Sequence, residues 1–233
     1  MIVVGHRGVA GHYPENTRIS IEAAIRLGLE WIEVDVQPSK DNVLVVCHDH
    51  TVDRCSNGSG RVDELNLAQL RALDFAQNHK KRFPQQTIMT LAELLDLAIT
   101  ENVKLNLEVK VDHHDPEQVV SLLTEAIDDS HIQSDNILFS SFNHDVLRQL
   151  RIHFPSHAIA VLSERLRKKD RLLLEEISAV GCNLNHLWTT NRQINQLKQQ
   201  GYQVWCYTVN NPNRLKHLKG LDGIFSDFPE RFL

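Results

Sequence analysis

The 233-residue chain has no run of about 18 consecutive apolar residues, so no part of it reads as a membrane span. Its first residues, MIVVGHRG, lack the positive n-region and the apolar stretch of roughly 7 to 15 residues that a secretory signal carries, and a cytoplasmic protein is expected. There are four cysteines, Cys47, Cys55, Cys182 and Cys206, with neither CxxC nor zinc-like spacing. That argues against a disulfide framework and a structural metal knuckle, and leaves reduced, buried thiols. Positive charge is also short: 25 Lys plus Arg against 30 Asp plus Glu, a formal net charge of −5. Nucleic acid and stable membrane association, which both need clustered cations, are therefore not expected. The one dense basic run, HKKR at 79 to 82, reads as a solvated loop. Internal repeats and low-complexity tracts are missing.

What is there is a globular composition, 42% hydrophobic and 24% charged. At about 150 residues per domain the length admits one large α/β barrel. Short Val- and Ile-rich runs alternate with segments of helical period, the pattern of βα units on a parallel sheet. Eight strands are predicted, at 2–5, 31–36, 103–109, 137–141, 158–162, 181–185, 202–208 and 223–226. The helical patterns are TRISIEAAIRLG at 17–28, then 91–99, 117–127, 144–152, 171–180, 192–201 and 213–218. In the first of these Ile19, Ala23 and Ile25 or Ala24 form the apolar stripe, and Gly28 ends the helix. The expected fold is α/β, a (β/α)8 TIM barrel forming a single domain over 1–233. An open doubly wound sheet is the alternative, but the first strand leads into HRGVAGHYPENT and not into GxGxxG. A second extended run, 43–49, precedes a small insertion in the second βα connection at 50–88, expected over the barrel mouth.

Polar residues gather at the predicted strand ends, where such a barrel carries its chemistry. His6 and Arg7 follow the first strand directly, and His48 closes the extended run. Glu33 and Asp35 lie two apart in WIEVDV, so a strand's period of two puts both on one face. Two carboxylates in an apolar strand need a cation: a Lys or Arg partner, or a metal. Glu108 and Lys110 repeat the spacing in LNLEVK. Three oxygen donors from adjacent strands, Glu33, Asp35 and Glu108, suit Mg2+ or Ca2+.

In order along the chain stand HRG (6–8), PENT (14–17), ExD (33–35), KDNVLVVCHD (40–49), NLEVK (106–110), SF (141–142), YTVN (207–210) and DGIFSDFP (222–229). This set, which spans essentially the whole chain, resembles the glycerophosphodiester phosphodiesterases. The resemblance implies a TIM barrel that hydrolyses glycerophosphodiesters to sn-glycerol 3-phosphate and an alcohol. It implies a divalent metal on Glu33, Asp35 and Glu108, with His6 and His48 as the acid/base pair. Arg7 and Lys110 would contact the phosphate, and Phe142, Trp205 and Tyr207 would wall the glycerol or else fill the barrel. Glu15 and Asn16 would brace the metal cluster or His6, with helix N-capping as the other role for Asn16. Asp227 and Pro229 read as closing the last barrel turn. His6 as base and His48 as acid is the preferred division, with the reverse left open. Tyr207 stands where the family often has Trp, and Arg54, Cys55 and Ser56 replace the usual Arg-Thr-Thr. Head group, metal identity, attacking oxygen and oligomeric state are left open.

Two other readings share this pattern. A phosphoinositide-specific phospholipase C-like enzyme would work on membrane lipid, and no interfacial apolar ridge or basic patch is legible to support it. A catalytically silent barrel acting as a sensor should have lost a histidine or a carboxylate, and this chain keeps all five.

Overall fold

In the computed structural model, which describes residues 1–79 and 82–233, all eight predicted apolar runs are strands. The nine strands are β1 (Ile2–His6), β2 (Trp31–Pro38), β3 (Leu44–Val46), β4 (Lys104–Val109), β5 (Ile137–Ser141), β6 (Ala158–Ser163), β7 (Gly181–Asn185), β8 (Gln203–Tyr207) and β9 (Gly223–Ser226). Every strand but β3 pairs in parallel with a neighbour on each side, and the β1–β2 pairing closes the ring. This is a (β/α)8 TIM barrel. The short β3 is antiparallel to the end of β2 and begins the excursion that interrupts the second βα unit.

Helices α1 (Arg18–Arg26), α2 (Leu67–Arg71), α3 (Leu91–Glu101), α4 (Pro116–Ser130), α5 (His144–His153), α6 (Lys168–Glu176) and α7 (Asn191–Gln199) are set by local chemistry. Thr90 and Glu93 form a reciprocal capping box at the start of α3. Asp115 caps α4 just ahead of Pro116, whose missing N–H is harmless at that position. Two expectations are corrected. The predicted helix at 171–180 runs instead over Lys168–Glu176, because the Asp170 carboxylate accepts the Arg167 N–H at its start and Ser178 turns left-handed (φ 48°) beyond its end. The predicted helix at 213–218 is a 3-10 turn, Pro212–His217, with no fully buried residue to pack and prolong it.

The buried face of α1 is Ser20, Ile21, Ala23 and Ala24, shifted from the stripe through Ile19 and Ile25. Ser20 is buried because its hydroxyl holds the turn after β1: it donates to the Arg7 carbonyl (2.8 Å) and accepts the Val9 N–H (2.9 Å).

Period-two alternation sends the side chains of each strand inward and outward in turn. Inside, Val4, Trp31, Leu138, Ala160, Trp205 and Phe225 form an apolar plug, with Trp31 and Trp205 edge to face at 5.6 Å. Outside, residues such as Ile32, Leu105, Ile137 and Ile159 pack under the helices, each contributing ~1.5–3 kcal/mol by leaving water. The excursion has its own small core of Val45, Cys47, Val52, Val62, Leu70, Phe75 and Ile88. It meets loops at the C-terminal end of the barrel through Arg54–Glu15 and Arg61–Asp112 ion pairs. Lys80 and Lys81, the middle of the basic HKKR run, lie outside the described residues.

Candidate active site

Parallel register decides which polar side chains meet. His6 on β1 lies level with Glu33 on β2, and Asp35 on β2 lies level with Glu108 on β4. Glu33 and Asp35 share the inward face with Trp31, and Glu108 shares it with Asn106, so all three carboxylates project into the space above the apolar plug. Ligand oxygens of Glu33, Asp35 and Glu108 lie within 4.8 Å of one another.

The loop after β1 closes the cluster from one side. Arg7 sits at φ 52° and Gly8 at φ 85°, both left-handed. That conformation strains a side-chain-bearing residue. It turns the Arg7 N–H onto Glu33 Oε2 (3.0 Å) and brings Arg7 Nε to 3.2 Å from Asp35 Oδ2. Asn16, also left-handed, donates from Nδ2 to Asp35 Oδ2 (2.9 Å). Asn16 therefore braces an acid of the cluster; the N-cap position of α1 belongs to Thr17. Glu15 reaches neither the cluster nor His6 and instead accepts from Arg7 Nη1 (2.7 Å) and from Arg54. From the other side Lys110 Nζ donates to Glu108 Oε1 (2.6 Å) and stands 3.2 Å from Asp35 Oδ1.

Charge does not balance among these groups. Arg7 and Lys110 both press on Asp35 and, against its complete burial, hold its carboxyl far below the ordinary range. Glu33 has no Lys or Arg ion pair, only the Arg7 N–H and the His6 ring at 3.9 Å, and burial together with the Asp35 carboxylate pushes it well above the usual value. Glu108 moves up for the same reasons. The donor set fits a hard divalent cation: three convergent carboxylates, one excess negative charge over Arg7 and Lys110, and a buried Asp35 Oδ1 with no well-formed hydrogen bond. The same contacts also supply the Lys and Arg partners that were the alternative to a metal.

Both singled-out histidines face this cluster across one cavity of about 410 Å3, lined also by Arg7, Glu33 and Glu108. His6 donates from Nδ1 to Asp227 Oδ1 (2.6 Å), and its Nε2 stands 3.9 Å from Glu33. Asp227 is itself held by the Asn210 side chain at Oδ2 (2.7 Å). His48 donates from Nδ1 to Asp49 Oδ1 (2.6 Å), and Asp49 receives Arg54 Nε at 2.6 Å. Each ring thus presents Nε2 to the cavity side with its tautomer set by a carboxylate. Burial lowers the His6 pKa, but Glu33 and Asp227 outweigh it, so it moves up from the ordinary imidazole value. Burial and the Arg7 and Lys110 charges outweigh Asp35 at His48 and favour the neutral form.

Asp227, which the sequence reading gave only a structural part, faces the cavity side and holds the His6 ring. A signal was present: Gly223, Phe225 and Asp227 alternate, so Asp227 follows Phe225 on the inward face. Asn210 and Asp49 stand in the YTVN and KDNVLVVCHD motifs, but the side-chain contacts through which they hold Asp227 and His48 are not legible there. Phe142 and Tyr207 line the cavity edge to face at 5.9 Å. Trp205 does not line it; the ring is 3% exposed, packed between Trp31 and Phe225 in the plug below. An apolar rim illegible in the sequence also exists, because Phe142, Leu187 and Trp188 are exposed on loops after β5 and β7, with Arg165 stacked on Trp188 at 3.6 Å. These residues come from three separate loops, and only the closed barrel brings them together.

The profile of the glycerophosphoryl diester phosphodiesterase family matches residues 6–231. The chain is 31% identical over 234 residues to a glycerophosphodiester phosphodiesterase of Bacillus altitudinis, covering 98% of this chain and 95% of that one. It is 29% identical to one from Caldanaerobacter subterraneus subsp. tengcongensis, covering 100% of this chain and 96% of the relative. Among solved structures, an Oleispira antarctica phosphodiesterase in complex with the product sn-glycerol-3-phosphate superposes with a TM-score of 0.93 at 30% identity, covering 99% of this chain and 94% of that one.

Proposed function

The chain belongs to the glycerophosphoryl diester phosphodiesterase family, and from that membership we propose that it hydrolyses glycerophosphodiesters to sn-glycerol 3-phosphate and a free alcohol with two histidines as acid and base. It is a phosphoric diester hydrolase. The observation that carries the mechanism is the pair of imidazoles, each with Nδ1 on a carboxylate, on one cavity with the three acids.

A phosphodiester anion repels its nucleophile, so catalysis needs charge neutralisation, a proton acceptor and a proton donor. A divalent cation held by Glu33, Asp35 and Glu108 would supply Lewis-acid polarisation of a phosphoryl oxygen. Arg7 and Lys110, both paired with Asp35, supply fixed positive charge beside the phosphate. His48, whose pKa burial and the Arg7 and Lys110 charges lower, is suited to take a proton from the attacking oxygen through Nε2. His6, whose pKa the Glu33 and Asp227 carboxylates raise, is suited to protonate the departing alkoxide. This division reverses the one preferred from the sequence, and its support is electrostatic: two carboxylates, Glu33 and Asp227, outweigh burial at His6, whereas at His48 burial and the Arg7 and Lys110 charges outweigh Asp35 and Asp49. Phe142 and Tyr207 would wall the apolar edge of the substrate.

The test is release of sn-glycerol 3-phosphate from glycerophosphocholine and related diesters, with and without EDTA, alongside a vesicle-borne glycerophospholipid that the exposed rim could meet. Turnover of the soluble diesters, lost with EDTA and in His6→Ala, His48→Ala and Glu108→Ala, is expected. Full turnover in any of the three variants would remove that residue's assigned role. Among the described residues no helix is long and apolar enough to cross a membrane.

A further inference from the structure

A third histidine lines the same cavity. His186 follows β7 and belongs to no part of the mechanism above. Its backbone is pinned, with the His186 N–H donating to the Tyr207 carbonyl (2.9 Å) and Asn185 Oδ1 accepting the next N–H, that of Leu187 (2.9 Å). Its ring is pinned as well: Arg214 donates from Nε to His186 Nδ1 (3.2 Å) and from Nη2 to the His186 carbonyl (3.3 Å).

A guanidinium has only donors, so the nitrogen it addresses must carry a lone pair. The His186 proton therefore sits on Nε2, and protonation of Nδ1 would set a hydrogen against a cation. His6 and His48 are the opposite case, since a carboxylate at Nδ1 keeps the proton there and leaves Nε2 free to accept one. Arg214 does not line the cavity and His186 does, so the Nδ1 edge faces the protein and the Nε2 edge remains for the cavity. Among the described residues, Nε2 has no protein hydrogen-bond partner, and Leu162, Tyr207 and Phe225 line the same cavity. An N–H fixed toward the cavity in this way is placed to meet a ligand oxygen.

Building on the phosphodiesterase reading, we propose that His186 is a specificity residue: a neutral, orientation-locked donor that holds a hydroxyl oxygen of the substrate's alcohol portion and moves no proton. That hydroxyl could belong to the glycerol half or to a polyol head group, and the substrate set separates the two.

The experiment compares kcat and KM of wild type, His186→Ala and His186→Gln on glycerophosphocholine, glycerophosphoglycerol and bis(p-nitrophenyl) phosphate. Those substrates carry hydroxyls on the glycerol half only, on both halves, and on neither. We expect His186→Ala to raise KM about three- to tenfold on the hydroxyl-bearing diesters with kcat nearly constant, the mark of a lost uniform binding contact. The nitrophenyl ester should be unaffected, and Gln, which keeps an N–H, should recover most of the loss. Equal losses on both glycerol diesters assign the contact to the glycerol half; a loss confined to glycerophosphoglycerol assigns it to the head group. An equal effect on all three substrates, no effect on any, or failure of Gln to restore binding would overturn the proposal. A wild type inactive on both glycerol diesters would instead overturn the phosphodiesterase reading on which it rests. Nitrogen-15 NMR of the His186 ring supplies an independent check: an Nε2–H tautomer that does not titrate between about pH 6 and 8 is required.

Discussion

His6 and His48 both rest Nδ1 on a carboxylate, yet the carboxylates are held differently, by the Asn210 amide in one case and the Arg54 guanidinium in the other. Asp227→Asn and Asp49→Asn keep the shape and remove the charge that stabilises each imidazolium. Each substitution should lower the pKa of its histidine. With His6 as acid and His48 as base, the alkaline limb of kcat/KM should move to lower pH in Asp227→Asn. The acid limb should move to lower pH in Asp49→Asn. In each variant kcat at neutral pH should fall, by up to about a hundredfold for Asp227→Asn, where the His6 ring loses the charged partner that holds its Nδ1–H. Unmoved limbs in both variants would show that the carboxylates do not set the titration of the rings.

The elements that aim these residues are short and conformationally demanding. The turn from β1 into α1 depends on Gly8 at φ 85°, where an added Cβ would lie 2.5 Å from the backbone of Ser20. Backbone on α1 cannot yield as a flexible side chain would, so Gly8→Ala should destabilise the protein by at least about 1–3 kcal/mol. Activity should fall further than the folded fraction does, since the same turn aims Arg7 at Glu33 and Asp35; a variant with normal stability and turnover would refute this account of the turn. A second element, the excursion after β3, reaches back through Arg54, which forks onto both Asp49 and Glu15. Arg54 is about half exposed, so its ion pairs contribute little to global stability. Arg54→Met should accordingly leave the melting temperature nearly unchanged while lowering kcat/KM about tenfold through a loosened His48, measurable by parallel thermal denaturation and kinetics.

At the scale of the whole molecule, three acids inside a closed barrel make folding and cation binding linked equilibria. A cation bound only by the native state stabilises it by RT ln(1 + [L]/Kd), about 2.7 kcal/mol at a hundredfold excess over Kd. Melting temperature should therefore rise with Mg2+ or Ca2+ and fall with EDTA, and Glu33→Gln should abolish the response. A melting temperature indifferent to both cation and chelator would count against a metal at these acids, whatever the activity assays report.

How much of this was legible in the sequence follows from the range of the forces involved. Strand periodicity, the paired spacing of Glu33 with Asp35 and of Glu108 with Lys110, and the histidines at strand ends are short-range features, and they were enough for the barrel and for most of its polar mouth. Helix α6 and the final 3-10 turn departed from their predicted spans because caps and packing overrode the apolar pattern. The remaining assignments needed closure of the ring. His6 and Asp227 are 221 residues apart and meet only because β9 pairs with β1. Trp205 and Tyr207 share a face of β8, but their depth in the barrel sends one to the plug and the other to the cavity. Arg214 fixes the tautomer of His186 across 28 residues of chain. Residue types and local periods are written along the chain; the partner that orients each ring, the depth at which each side chain lies and the charge left unbalanced are decided when distant segments come within hydrogen-bonding distance.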